Sequence, residues 1–207
     1  MERQYVSDIA FTPVVKTWQE RHGSRKSYAK MEAGPGWHDR VTDGLREFLA
    51  DMDSFYLGTA NSEGQPYIQH RGGPAGVLRV LDDRTLAFAD FGGNKQYVTA
   101  GTLQENDKAF IFLMDYPNRR RIKVWGRARV VEDDPELLAR LADPEYPGRP
   151  ERAIVFTVEA WDVNCPQHIR PRYTEEQVQS VTSELRARID ELEAEVTRLK
   201  DAVRSAA

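Results

Sequence analysis

The chain has 207 residues, a formal net charge of −4, and 40% hydrophobic and 30% charged positions. That length suits one full core with an appendage rather than two comfortable domains, and the modest charge gives no general polyanion-binding surface, so neither nucleic acid nor a membrane is expected as a partner. No apolar run is long enough to span a bilayer, Met1–Tyr5 lack the apolar core of a signal peptide, and Cys165 alone allows neither an intrachain disulfide nor a thiolate metal cluster, so a cytoplasmic chain is expected.

The first stretch reads as helical. Thr12 is placed to cap a helix with Pro13 in its first position, where the missing amide hydrogen costs nothing, and Gly23 is placed to close it. Gly34-Pro35-Gly36 is a connector to a second helix from about His38 to Met52, with Val41, Leu45, Phe48, Leu49 and Met52 on one face.

From Phe55 the period changes to two. Phe55–Ala60 and Tyr67–Arg71 read as strands joined by the turn Asn61-Ser62-Glu63-Gly64, and Val77–Leu81 and Thr85–Phe88 as a second hairpin across Asp82-Asp83-Arg84. Lys108–Met114, Ile122–Val131 and Ala153–Val163 follow, with short helices expected over Gln96–Glu105 and Pro135–Leu141. Short antiparallel strands at this spacing predict a small barrel, because closing a sheet removes its exposed edges.

The last segment is an amphipathic helix with a seven-residue repeat. Val178, Leu185, Leu192 and Leu199 recur every seven positions, and Thr182, Ile189, Val196 and Val203 hold the alternate core position. β-Branched residues at one core position and leucine at the other favour a parallel two-stranded coil; a single helix packed on its own domain is the alternative. The expected organisation is therefore a helical segment over 1–44, a barrel over 45–173 and the coiled-coil-like helix over 174–207.

Three runs carry the chemistry. In Gln69-His70-Arg71-Gly72-Gly73-Pro74, strand alternation puts Gln69 and Arg71 on one face and His70 on the other, and the glycines allow close approach of a ligand or a second backbone. Phe88-Ala89-Asp90-Phe91-Gly92-Gly93-Asn94-Lys95-Gln96 leaves a strand and enters a helix. A helix start offers free amides and partial positive charge to an anion, with Asn94 as the expected cap and Lys95 as a full charge. In Arg119-Arg120-Arg121 and the strand that follows, Arg121 and Lys123 share a face, read here as pointing inward, where a cation needs an anionic or carbonyl partner. Near the end of the barrel, Trp161 offers a flat face for stacking and His168 a titratable or hydrogen-bonding group. The four histidines show no HxxxH or His-x-Glu spacing, so no protein-built metal site is expected. These cations and flexible turns at strand ends suit a phosphorylated ligand with a flat polar part, without fixing which one.

Taken in order, Gly64-Gln65-Pro66 ahead of Arg71, the Phe88 strand leading into Gly93–Gln96, Arg121-Ile122-Lys123-Val124-Trp125-Gly126-Arg127-Ala128, and Trp161-Asp162 followed by Asn164–His168 resemble the pyridoxamine 5′-phosphate oxidase-like, FMN-binding split-barrel family over roughly Leu45 to Arg170. The resemblance implies a mainly β fold with flanking helices, built on a six-stranded antiparallel split barrel. It also implies a homodimer with an FMN cleft at the subunit interface, and a redox reaction on a small molecule. Carried onto matching positions, it assigns Gln69, His70, Arg71 and Gly72 to the ring and ribityl chain and Asn94, Lys95 and Gln96 to the phosphate. Asp90 and Arg121 join the cofactor set, and Trp161 or His168 approaches from the partner subunit. The family's characteristic basic ending is replaced here by Asn164-Cys165-Pro166-Gln167-His168, which speaks against vitamin B6 oxidation itself. A deazaflavin-dependent reductase and a non-catalytic flavin- or haem-binding protein are the alternatives.

Overall fold

The computed structural model describes residues 3–206. They divide into two compact units, residues 3–115 with 120–167, and residues 116–119 with 168–206. Residues 3–44 fall in the first unit together with the sheet.

The first unit opens with a 3-10 turn, Val6–Ile9, and the helices α1 (Pro13–Arg21) and α2 (Arg25–Ala33). Thr12 caps α1 as expected: its hydroxyl oxygen accepts from the Val15 amide at 3.3 Å. α2 has no apolar stripe to announce it. The residue it buries is Glu32, which pairs with Arg25, approaches Lys16 at 3.8 Å and accepts from the Ser7 hydroxyl at 3.1 Å. The next helix, α3 (Asp43–Ala50), begins five residues later than the His38 start expected, with Thr42 as cap. The residues before it are drawn onto the sheet instead. The His38 and Trp161 backbones exchange hydrogen bonds at 3.3 and 2.8 Å, and the Val41 amide donates to the Asp83 carbonyl at 2.7 Å.

Seven antiparallel strands form one sheet: β1 (Ser54–Ala60), β2 (Pro66–Gly72), β3 (Arg79–Val80), β4 (Thr85–Phe91), β5 (Lys108–Asp115), β6 (Arg120–Val131) and β7 (Pro150–Asn164), in the order β2-β1-β5-β6-β7-β4-β3. This corrects the six strands that the resemblance implies, while all seven segments read as strands from the sequence are present. The segment read as Val77–Leu81 yields the two-residue strand β3, because Val77 and Leu78 turn into the core instead of pairing. Inward residues of β1, β4, β5, β6 and β7 meet in a single cluster that includes Phe55, Phe88, Ile111, Val124 and Phe156, with Leu45 and Phe48 of α3. The sheet is thus rolled on itself, while β2 and β3 stand at opposite ends of the strand order, so the roll is split rather than closed.

Two irregularities matter for the shape. The β6–β7 register shifts between Trp125 and Gly126. At Gly126 a Cβ would lie 2.0 Å from the Thr157 carbonyl oxygen and 2.6 Å from the Phe156 ring, so the bulge admits only glycine. The β4–β7 register shifts between Asp90 and Phe91, where the chain leaves the sheet for α4 (Val98–Glu105). α5 (Pro135–Leu141) begins on a cap from Asp134, whose carboxylate accepts from the Leu137 amide at 2.8 Å.

In the second unit, the Arg119 amide donates to the Tyr116 carbonyl at 3.3 Å and the Arg172 guanidinium lies 4.8 Å from the Tyr116 ring centroid. Its main element is α6 (Glu175–Ala206), 32 residues long. Among the described residues, no helix is long and apolar enough to cross a membrane.

Candidate functional site

A cleft of about 190 Å³ opens where β2, the β4–α4 loop, the start of α4 and the first residues of β7 converge. Strand alternation acts as expected on β2. Tyr67, Gln69 and Arg71 face the cleft, whereas Ile68 and His70 are exposed on the opposite face. The His70 ring lies against Tyr56, 5.5 Å between centroids.

Arg71 is held in place from two sides. Its guanidinium pairs with Asp90, the two side chains being 13% and 12% exposed, and lies 5.7 Å from the Phe88 ring centroid. Arg152 stands opposite Asp90 on β7 and approaches its other carboxylate oxygen at 3.5 Å. Arg152 also pairs with Glu151 at 3.0 Å and Glu132 at 3.2 Å, and its guanidinium lies 5.1 Å from the Tyr97 ring centroid. Two donors in this arrangement are buried without a hydrogen-bond partner among the described residues, Arg71 Nε and Arg152 Nε, of which the second still lies 3.2 Å from a Glu132 carboxylate oxygen. Lys95 also lines the cleft, is exposed and enters none of these ion pairs.

The loop between β4 and α4 is strained. Lys95 and Tyr97 have φ of 58° and 53°, in the left-handed region that side chains other than glycine seldom adopt. This corrects the expected helix start. Tyr97 turns the chain left-handed immediately before α4, so the helix begins at Val98 rather than Gln96, and Asn94 is not its cap. The Asn94 carboxamide oxygen instead accepts from the Gln96 amide at 3.2 Å, closing a local turn. The first residues of α4 still line the cleft through Val98, Thr99 and Ala100, so the amide-rich end of a helix faces it. Thr99 in turn donates from its hydroxyl to Gln69 Oε1 at 2.8 Å. At Gly92 a Cβ would fall 2.9 Å from a Glu151 carboxylate oxygen, the free end of a side chain that can move aside.

Of the residues singled out in the sequence, Gln69, Arg71, Asp90, Asn94, Lys95 and Gln96 come together in this cleft. His70, Gly72, Arg121 and Trp161 do not line it. Gly72 ends β2 beside the His70 ring. Arg121 and Lys123 do share a face, but it is the outward one, since Ile122 between them and Val124 after them are buried. Arg121 donates from Nε and Nη2 to the Asn164 side-chain oxygen at 2.7 and 3.0 Å with that amide turned toward it. Lys123 lies 3.3 Å from Asp162, and 5.4 and 5.3 Å from the Trp37 and Trp125 ring centroids. Trp161 is buried, stacks on His38 at 4.6 Å and donates its indole N–H to the Arg40 carbonyl at 2.7 Å. His168 lies in the second unit, with φ of 63°. Sequence reasoning missed Tyr67, Thr99, Glu151 and Arg152. The signal for Arg152 is its place across from Asp90, legible only once β4 and β7 are paired.

A split antiparallel roll with an arginine- and lysine-lined cleft at its edge places the chain in the small-barrel class. The profile of the pyridoxamine 5′-phosphate oxidase family matches residues 41–165, and the chain belongs to that family. No curated protein matches the sequence significantly. Among solved structures it is similar to HupZ of Group A Streptococcus, with 18% identity, 64% of this chain and 99% of that chain covered, and a TM-score of 0.50. An FMN-binding protein of Syntrophomonas wolfei is similar at 20% identity, with 73% and 95% covered and a TM-score of 0.44. A protein of Clostridium acetobutylicum related to general stress protein 26 is similar at 17% identity, with 60% and 86% covered and a TM-score of 0.41. At these identities the likeness concerns the fold.

Proposed function

We propose that the cleft binds FMN and that the protein is an FMN-dependent oxidoreductase acting on a small, planar substrate. The observation that carries this reading is the buried, unpartnered Nε of Arg71, in a cleft that also holds the unpaired charge of Lys95 and the start of α4. A buried guanidinium donor without an acceptor is costly until an anion or carbonyl supplies one. Lys95 and the amides of the Asn94–Tyr97 loop would hold the phosphate. The Gln69 carboxamide, fixed through its oxygen by Thr99, keeps its N–H₂ for a carbonyl of the flavin ring. When bound, the flavin supplies the hydride and electron chemistry, while the chain orients it and sets its electrostatic surroundings. Arg71 contributes fixed positive charge there beside Arg152, and Asp90 holds both in position.

Family membership supports the choice of a flavin, and the size of the cleft supports a homodimer. At about 190 Å³ the cleft is smaller than the roughly 300–1,000 Å³ usual for ligands of drug size. One chain therefore suits the phosphate end, and a second copy of the barrel would complete the walls around the ring.

Flavin fluorescence titrations test the binding. FMN is expected to bind about tenfold or more tightly than riboflavin, the phosphate contributing at least one charge-assisted hydrogen bond. Equal affinities, or no binding of either, would remove the reading. Anaerobic reduction of the loaded protein by NAD(P)H, followed by reoxidation with an acceptor, separates an enzyme from a binder.

A further inference from the structure

α6 runs 32 residues without glycine or proline, roughly 48 Å at about 1.5 Å per residue. Its apolar residues form one stripe. Val178 and Leu185 are seven apart with Thr182 between them, and Ile189, Leu192, Val196, Leu199 and Val203 follow at alternating spacings of four and three; each of the apolar residues remains between 44% and 70% exposed. A continuous apolar seam of this kind marks an interaction surface rather than scattered surface residues. The mean spacing of 3.5 residues, and not 3.6, is the period that keeps a seam facing a partner helix as two helices supercoil.

We propose that α6 pairs with α6 of a second copy of this chain as a parallel, in-register, two-stranded coiled coil. The core layers select this occupant. Thr182, Ile189, Val196 and Val203 stand at one core position and Val178, Leu185, Leu192 and Leu199 at the other. β-Branched side chains facing their own kind in one layer, and leucines in the next, pack best with two parallel strands. The flanks agree in charge: Arg188 meets Glu193 of the second copy, and Glu195 meets Lys200 of the second copy. In the single chain Arg188 has only an exposed contact one turn along, to Glu191 at 2.8 Å, which is a weak competitor. The pairing goes beyond the flavin reading and uses no residue of the cleft.

Cross-linking of the full-length chain tests it. Cys165 is exposed and the chain's one thiol, so it is first replaced by serine. Leu199→Cys is then introduced at a core position and, as a control, Ala194→Cys on the outer side of the same helix. Under mild oxidation the Leu199→Cys chain is expected to form disulfide-linked dimers at least about tenfold more completely than the control, because only facing core positions bring Cα atoms within about 7 Å. Dimers from both variants alike, or from neither, overturn the proposal. So does a Leu199→Cys chain that links only to a Thr182→Cys chain, which would mean antiparallel helices. Both substituted residues lie on a helix surface, and an unchanged thermal melt verifies that each variant is folded.

Discussion

At Lys95 function and stability pull in opposite directions. A left-handed side chain costs about 1–2 kcal/mol, and glycine adopts the same φ of 58° freely. Lys95→Gly is therefore expected to keep or raise the melting temperature while weakening FMN binding about tenfold or more, the loss of one charge-assisted contact. Parallel thermal melts and fluorescence titrations check both halves; an unchanged FMN affinity would exclude Lys95 as a phosphate ligand. Arg71 and Asp90 have the opposite character. Both are nearly buried, so removing Asp90 strands the Arg71 guanidinium, whereas removing Arg71 leaves Asp90 with Arg152 at 3.5 Å. Asp90→Leu is expected to destabilise the fold by about 3 kcal/mol and Arg71→Met by less, and the double substitution by clearly less than the sum of the two. Urea unfolding of the four proteins measures the cycle, and additive costs would mean that the pair is not coupled.

Among the elements, the antiparallel β6–β7 pair carries a bulge at Gly126 that is closed to any side chain by the Thr157 carbonyl and the Phe156 ring. Gly126→Ala is expected to lower stability by about 3 kcal/mol, or to abolish soluble expression, because backbone on both strands must move. Urea midpoints against the parent protein give the answer, and a change within about 0.5 kcal/mol would mean that the bulge adapts. Elements of this kind differ in how legible they are from sequence. The period of two on β2 placed Gln69 and Arg71 on one face and His70 on the other, as the structure has them. On β6 the same period identified the pair Arg121 and Lys123 but not which face was the core, because Trp125 shares their side and lends it an apolar look. α2 was hidden because its buried residue is a glutamate in a polar network, and apolar periodicity has nothing to detect there. The α4 boundary was missed because a left-handed tyrosine carries no sequence mark comparable to glycine.

For the whole molecule, the N-terminal segment is tied down by carboxylates, and this makes its attachment sensitive to acid. Glu159 on β7 accepts from Arg3 at 2.9 Å and from Arg127 at 2.8 Å; burial works to raise its pKa, but the two guanidinium hydrogen bonds outweigh it and the net shift is downward. Asp8 behaves alike: burial opposes ionisation, and Lys16 at 2.6 Å with the Tyr5 and Gln4 amides prevails. A carboxyl whose pKa is lower in the folded than in the unfolded state stabilises the fold fully above its ordinary value, 4.5 for Glu159 and 3.8 for Asp8, and loses that contribution as pH falls through the folded value. Stability should therefore be insensitive to these two groups near neutrality and decline below about pH 4.5. Glu159→Gln isolates one of them. Its partner Arg127 is 46% exposed, so solvent screens the pair and the substitution should cost only about 0.5–1 kcal/mol at pH 7. At a pH below the folded value both proteins carry an uncharged group at this position, and the difference should close. Urea midpoints of parent and variant followed from pH 7 down into acid measure it; a gap that never narrows would place the role of Glu159 in packing rather than in charge, and one that widens in acid would reverse the sign of the linkage.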